Sequence, residues 1–114
     1  MVRASYLQIY MEVPSDLLRP ERTNLQIKED RRKGLFVEGL SEWAVRSPNE
    51  IYTLIRKGAA SRATAFTKAN DVSSRSHAVF IITVEQLKPL VDGVEVITEE
   101  TPKQVRVGKL NLVD

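Results

Sequence analysis

The 114 residues contain no cysteine and a single histidine. Disulfide scaffolds, thiolate zinc sites and His-rich metal centres are therefore excluded. No run of about 18 apolar residues occurs, so no membrane-spanning helix is encoded. The opening residues Met1-Val2-Arg3 lead straight into an alternating segment. They show neither a long apolar core nor a small-residue cleavage pattern, so they do not read as a signal peptide, and a cytoplasmic location is expected. The charge excess is only +2. That is too little for the clustered basic face of a nucleic-acid binder, and aromatics, at 6%, do not interleave with the basic residues. What is present is an ordinary globular mixture, 42% hydrophobic and 28% charged, suited to one domain. The charge is uneven: residues 1–80 carry 13 bases and 9 acids, residues 81–114 carry 4 and 6.

Residues 3–10 (RASYLQIY) alternate and are rich in aromatic and β-branched types, which predicts a strand with Tyr6, Gln8 and Tyr10 on one side and Leu7 and Ile9 on the other. Pro14-Ser15-Asp16 marks a turn, and Asp16-Leu17-Leu18 predicts the start of a short helical turn before Pro20. Two short strands follow, 25–28 and 35–37, joined by the charged turn 29–34 (EDRRKG). Gly39 breaks the second, and residues 43–45 are expected to extend the same ribbon. Ser47-Pro48-Asn49-Glu50 is a helix start. The Ser47 hydroxyl caps, Pro48 suits the first helical position and Glu50 completes a capping box. Ile51, Leu54 and Ile55 continue it as one apolar stripe, which predicts a helix over 48–57 with Gly58 at its end. Residues 61–76 are rich in Ser, Thr and Ala without a sustained period and read as a long loop. Residues 78–84 (AVFIITV) are apolar on both faces, as in a central strand covered on two sides. An acidic excursion with Asp92-Gly93 as its turn separates this strand from a last one over 105–113, and the two are expected to pair antiparallel.

The stretch richest in chemistry is Asn70-Asp71-Val72-Ser73-Ser74-Arg75-Ser76-His77. Hydroxyls are hard-oxygen ligands suited to Mg²⁺ and can hold a water, and an arginine among them can lock the loop by an ion pair to a carboxylate. Those are parts of a phosphate-sensing switch. The same composition also suits a solvated loop or a phosphorylation site.

As a whole, the stretch resembles the kinesin motor domain, whose switch I pattern N-x-x-S-S-R-S-H is complete here. Its flanks are similar to the family as well. Ser5-Tyr6-Leu7-Gln8-Ile9-Tyr10 with Asp16-Leu17-Leu18 resembles the fourth strand. Glu29-Asp30 to Gly34 with Val37-Glu38-Gly39-Leu40 resembles the fifth-strand region, and Ser47-Pro48-Asn49-Glu50 the start of the third helix. Lys109-Leu110-Asn111-Leu112-Val113-Asp114 resembles the strand leading into switch II. The resemblance runs along essentially all 114 residues. It implies an α/β fold: part of a P-loop NTPase motor domain, with mixed central sheet strands, one main helix and a small β ribbon.

It also implies an ATP-driven microtubule motor working on the cytoskeleton, with ATP and Mg²⁺ as cofactors. Ser74 would offer its hydroxyl to Mg²⁺, Ser73 would help position the attacking water, and Asn70 would join the same phosphate and water network. Arg75 would pair with a switch II glutamate, and Asp114 would hold Mg²⁺ through water. Arg31, Arg32 and Lys33 would face tubulin, although such a run also suits a solvated turn. His77 is expected to be a hydrogen-bonded structural residue, Trp43 to pack against the short strands, and Met11 to fill a packing position. Glu38 and Glu42 place acids near the basic run.

The chain departs from the family pattern by what it omits. No G-x-x-x-x-G-K-[ST] occurs, and the switch II pattern is represented only by Asp114. Residues 1–114 are therefore expected to form part of a motor domain that carries switch I without the phosphate-cradling loop. By itself the chain is expected not to hydrolyse ATP and to need the remainder of the motor domain as a partner. It is also expected to self-associate through strand edges, chiefly that of 105–113. Neither nucleic acid nor membrane is expected as a partner. The other reading is a non-catalytic interaction module, derived from a motor, that binds tubulin or another protein.

Overall fold

The fold is taken from a computed structural model, which describes residues 1–32, 34–66, 76–89 and 103–113. Its centre is β1 (Val2–Tyr10), whose two edges are both occupied. Along one edge lies β6 (Ser76–Pro89), antiparallel, with Tyr10 opposite Ser76 and Val2 opposite Val84. The other edge is shared by two short antiparallel strands. β2 (Val13–Asp16) covers its second half and β5 (Trp43–Val45) its first three residues. β7 (Lys103–Val113) extends the sheet beyond β6, giving the order β2-β1-β6-β7 with β5 beside β1. A separate ribbon pairs β3 (Gln26–Asp30) with β4 (Gly34–Glu38). The helix α1 (Pro48–Phe66) packs across one face of the sheet. Mixed sheet, single helix and ribbon among the described residues match the α/β architecture expected from the sequence. The antiparallel pairing of the last two long strands also matches.

Cross-strand partners share a face, so the register places Val2, Ala4, Tyr6 and Gln8 beside Val84, Ile82, Phe80 and Ala78. This face meets the helix. Ala4, Leu18, Val45, Leu54 and Phe80 form the buried core, flanked by Val2, Tyr6, Trp43, Ile51, Ile55 and Ile82. The Tyr6 and Phe80 rings meet edge to face at 5.2 Å, a favoured aromatic geometry.

Several local expectations are corrected. The helix does not stop near Lys57 but runs on to Phe66, so residues 61–66 are helical rather than loop. Gly58 is inside it because the Tyr6 ring lies where a Cβ would be; the glycine serves close packing and not termination. Trp43 and its neighbours leave the ribbon and pair with β1 instead. Trp43 thus packs against the main core and not against the ribbon strands. The first turn falls at Met11 and Glu12, whose φ of 51° and 67° make a two-residue hairpin loop. Pro14 lies within edge strand β2, where its missing N–H is tolerated. Met11 is exposed and fills no packing position. Asp16 begins no helical turn. Its carboxylate accepts from the backbone N–H of Leu18 (2.9 Å), Arg19 (3.0 Å) and Ser41 (2.8 Å), holding two loops together while 1% exposed. The strand over 78–84 is deeply buried at Ala78 and Phe80 on the helix face, whereas Val79, Ile81 and Thr83 on the other face are half-buried. The turn at Asp92-Gly93 lies outside the described residues.

The helix start is as the sequence indicates. The Glu50 N–H donates to the Ser47 hydroxyl (3.4 Å), and the Glu50 carboxylate accepts from the Arg46 N–H (2.6 Å), one residue earlier than the usual capping-box partner.

Candidate functional site

Asn70, Ser73, Ser74, Arg75, Asp114 and Lys33 lie outside the described residues. The described residues that adjoin the first five meet at one end of the sheet. Ser76, which follows the serine-rich stretch, opens β6 and pairs with Tyr10, the last residue of β1. Val113, which precedes Asp114, pairs with Val79, so β7 finishes at the same end where β6 starts. The C-terminal part of α1 reaches this end too. Arg62 donates from Nη2 to the Ser76 hydroxyl (3.1 Å) and more weakly to the Ser76 carbonyl (3.5 Å). The register thus brings Ser76 and Val113, the described neighbours of Arg75 and Asp114, to one sheet end.

The polar character of this end is local. Ser76 and Gln8 are buried on the helix-facing side, where the rest of the face is aliphatic or aromatic. The Gln8 side-chain oxygen is buried and has no hydrogen-bond partner among the described residues. Arg62 continues the helix stripe begun by Ile51, Ile55 and Gly58. The sequence shows it only as one more base in the stretch read as a loop, and its tie to Ser76 depends on a 14-residue separation. His77 points to the opposite face, is exposed and makes no side-chain hydrogen bond to the described residues.

Arg31 and Arg32 sit exposed at the ribbon tip, where Asp30 accepts from the Arg32 N–H at 2.7 Å. The nearby acids are spent elsewhere: Glu38 pairs with Lys28 at the far end of the ribbon, and Glu42 with Arg3 at 3.0 Å. Neither forms an ion pair with the arginines of the tip. Among the described residues no group of three or more His, Cys, Asp or Glu could hold a metal ion unaided. No helix there is long and apolar enough to cross a membrane.

Comparison with known proteins agrees with the sequence resemblance. The kinesin motor domain family matches residues 1–114. The chain is 47% identical over 85 residues to the kinesin heavy chain of Neurospora crassa, covering 75% of this chain and 9% of that protein. It is 44% identical over 115 residues to the kinesin-like protein KIF3C of Pongo abelii, covering 100% of this chain and 14% of that one. A solved structure of a fast kinesin superposes with a TM-score of 0.80 at 42% identity, covering 99% of this chain and 29% of that chain. The chain therefore spans only a small part of the length of these relatives. Identity of this degree across nearly the whole chain, with the same fold, makes it a member of the kinesin motor-domain family.

Proposed function

We propose that this chain is the switch I–bearing part of a kinesin-like microtubule motor that couples ATP hydrolysis to movement along microtubules. The observation that carries the reading is the convergence of Ser76 and Val113, the described neighbours of Arg75-side switch I and of Asp114, at one sheet end. The donor set there suits the cofactors. Serine hydroxyls and an amide are hard-oxygen ligands for Mg²⁺, and among the described residues no group of three or more His, Cys, Asp or Glu could hold the ion. Bound Mg²⁺ would neutralise charge on the phosphates. Ser74 would offer it a hydroxyl, and Asp114 would hold it through water. Ser73 and Asn70 orient the attacking water, and Arg75 closes the site by pairing with a carboxylate. Phosphoryl transfer asks for positioning and charge stabilisation, which such groups provide. The exposed pair Arg31 and Arg32, with Lys33, would face the acidic microtubule surface.

These 114 residues hold no G-x-x-x-x-G-K-[ST] loop, so the isolated chain does not hydrolyse ATP. The same absence favours a second reading, in which the chain is a non-catalytic module that binds tubulin or another protein. A chimera decides between them. Residues 1–114 replace the matching segment of the kinesin-like protein KIF3C of Pongo abelii, and microtubule-stimulated ATPase is measured. Turnover is expected, with Ser74→Ala lowering kcat about a hundredfold or more, as for loss of one transition-state donor. A folded chimera that binds microtubules without turnover would overturn the motor reading and leave the module.

A further inference from the structure

Trp43 is the only tryptophan in the sequence and stands at the outer edge of the sheet. Two cations lie against its ring: the Lys57 ammonium at 4.6 Å from the centroid and the Arg19 guanidinium at 5.1 Å. Both side chains are exposed, and neither forms an ion pair with a carboxylate among the described residues. Ring attraction holds such cations in place while leaving their charge uncompensated.

The cluster is rigidly built. The indole Nε1–H donates to the Ser41 hydroxyl at 2.8 Å. The Ser41 and Arg19 backbone N–H groups both donate to the buried Asp16 carboxylate, at 2.8 and 3.0 Å. One buried acid therefore anchors the loop bearing the guanidinium and the loop that leads into the strand bearing the ring. Beside the ring is an open cavity of about 250 Å³ lined by Trp43, Ala44, Glu50, Thr53 and Leu54. Glu50, which lines it, is exposed and accepts from the Arg46 N–H at 2.6 Å. An aromatic wall, a shallow open cavity floored in part by Ala44 and Leu54, and two preorganised cations in no ion pair among the described residues are ingredients of a protein-docking hot spot.

We infer that Trp43, Lys57, Arg19 and the adjoining cavity form a docking site for a short acidic segment of a partner protein. Its carboxylates bridge the two cations, and one apolar side chain enters the cavity. Charge complementarity selects the occupant. A nucleic-acid strand would bring a charge at every phosphate, more than Arg19 and Lys57 can pair. The site is separate from the ribbon tip and from the switch residues, so it holds under either functional reading.

The test uses the emission of Trp43 in the 114-residue chain, at concentrations where sedimentation shows it monomeric. It is titrated with a synthetic peptide of glutamates around one phenylalanine. A saturable emission change is expected, weakening as salt is raised. The double variant R19E/K57E should bind at least about tenfold more weakly, because like charges then face each other. A peptide with lysines for glutamates should not bind, and one with alanine for phenylalanine should bind several-fold more weakly. These two peptides question the same contacts without altering the chain, so a folding defect in the variant cannot hide the answer. No saturable change, equal binding by the lysine peptide, or equal binding by the double variant would overturn the proposal. An oligonucleotide that binds as tightly as the acidic peptide would do the same, reducing the surface to a general polyanion site.

Discussion

Phe80 and Leu112 are opposite one another on neighbouring strands and on the same face of the sheet. Phe80 is 4% exposed and Leu112 is 49% exposed. One strand pair earlier the contrast repeats, with Ile82 packed against the core and Leu110 at 55% exposure. Sequence pattern does not separate these positions, because all four are large apolar residues on strands that carry apolar residues on both faces. What separates them is the reach of α1, which lies over β1 and β5 and ends its cover at β6. The exposed apolar residues of β7 occupy both faces: Leu110 and Leu112 on one, Val107 and Val113 on the other. Among the described residues β7 also has one unpaired edge. A strand apolar on both faces belongs in the interior of a sheet. Here that character is present without the cover.

The contrast makes a direct prediction. Phe80→Ala removes a ring packed on Tyr6 and the core and should cost about 3–5 kcal/mol, while Leu112→Ala should cost under about 1 kcal/mol. Urea unfolding of the two variants measures the difference. Equal losses would mean that β7 is covered by something outside the described residues. Gly58→Ala tests the covered side from the helix. An exposed helical glycine replaced by alanine gains about 1 kcal/mol. At this position a Cβ runs into the Tyr6 ring, so we expect a loss of about 1–3 kcal/mol instead. A gain in melting temperature would show that the helix stands farther from the sheet. Ser47→Ala removes the cap that fixes where the cover begins and should cost about 1 kcal/mol, read by the same unfolding measurement.

The parts of this structure legible in the sequence are those decided by near neighbours. Ser47, Pro48 and Glu50 define a helix start within four residues, and that start is found where expected. The alternation in β1 and the long apolar β6 also declare themselves locally. The errors arise where distant contacts decide. Gly58 reads as a helix end until Tyr6 is placed beside it. Trp43 reads as ribbon until β1 offers it an edge. The Met11-Glu12 turn lacks the Asn or Gly that normally announces positive φ, so Pro14 was the stronger but wrong signal. At the candidate site the pattern from Asn70 to His77 is legible as a motif. The Arg62–Ser76 contact is not, since it joins a helix to a strand across residues whose spacing has no period.

The smallest expected stability effect carries the sharpest test of the uncovered strand. Leu110→Lys with Leu112→Lys places charge on two exposed positions, where a substitution changes stability by no more than about 0.5 kcal/mol. The same change should act strongly on association. An open edge flanked by apolar side chains is a template for pairing with another chain, and lysine on such a strand blocks it. The native chain should therefore form concentration-dependent oligomers in sedimentation velocity, and the double variant should remain monomeric with an unchanged unfolding midpoint. If the native chain is already monomeric at high concentration, the apolar surface of β7 does not drive self-association. If the variant still oligomerises, the contact lies elsewhere on the molecule. If the variant unfolds early, Leu110 and Leu112 contribute to the core despite their exposure, and the boundary between covered and uncovered sheet must move one strand outward.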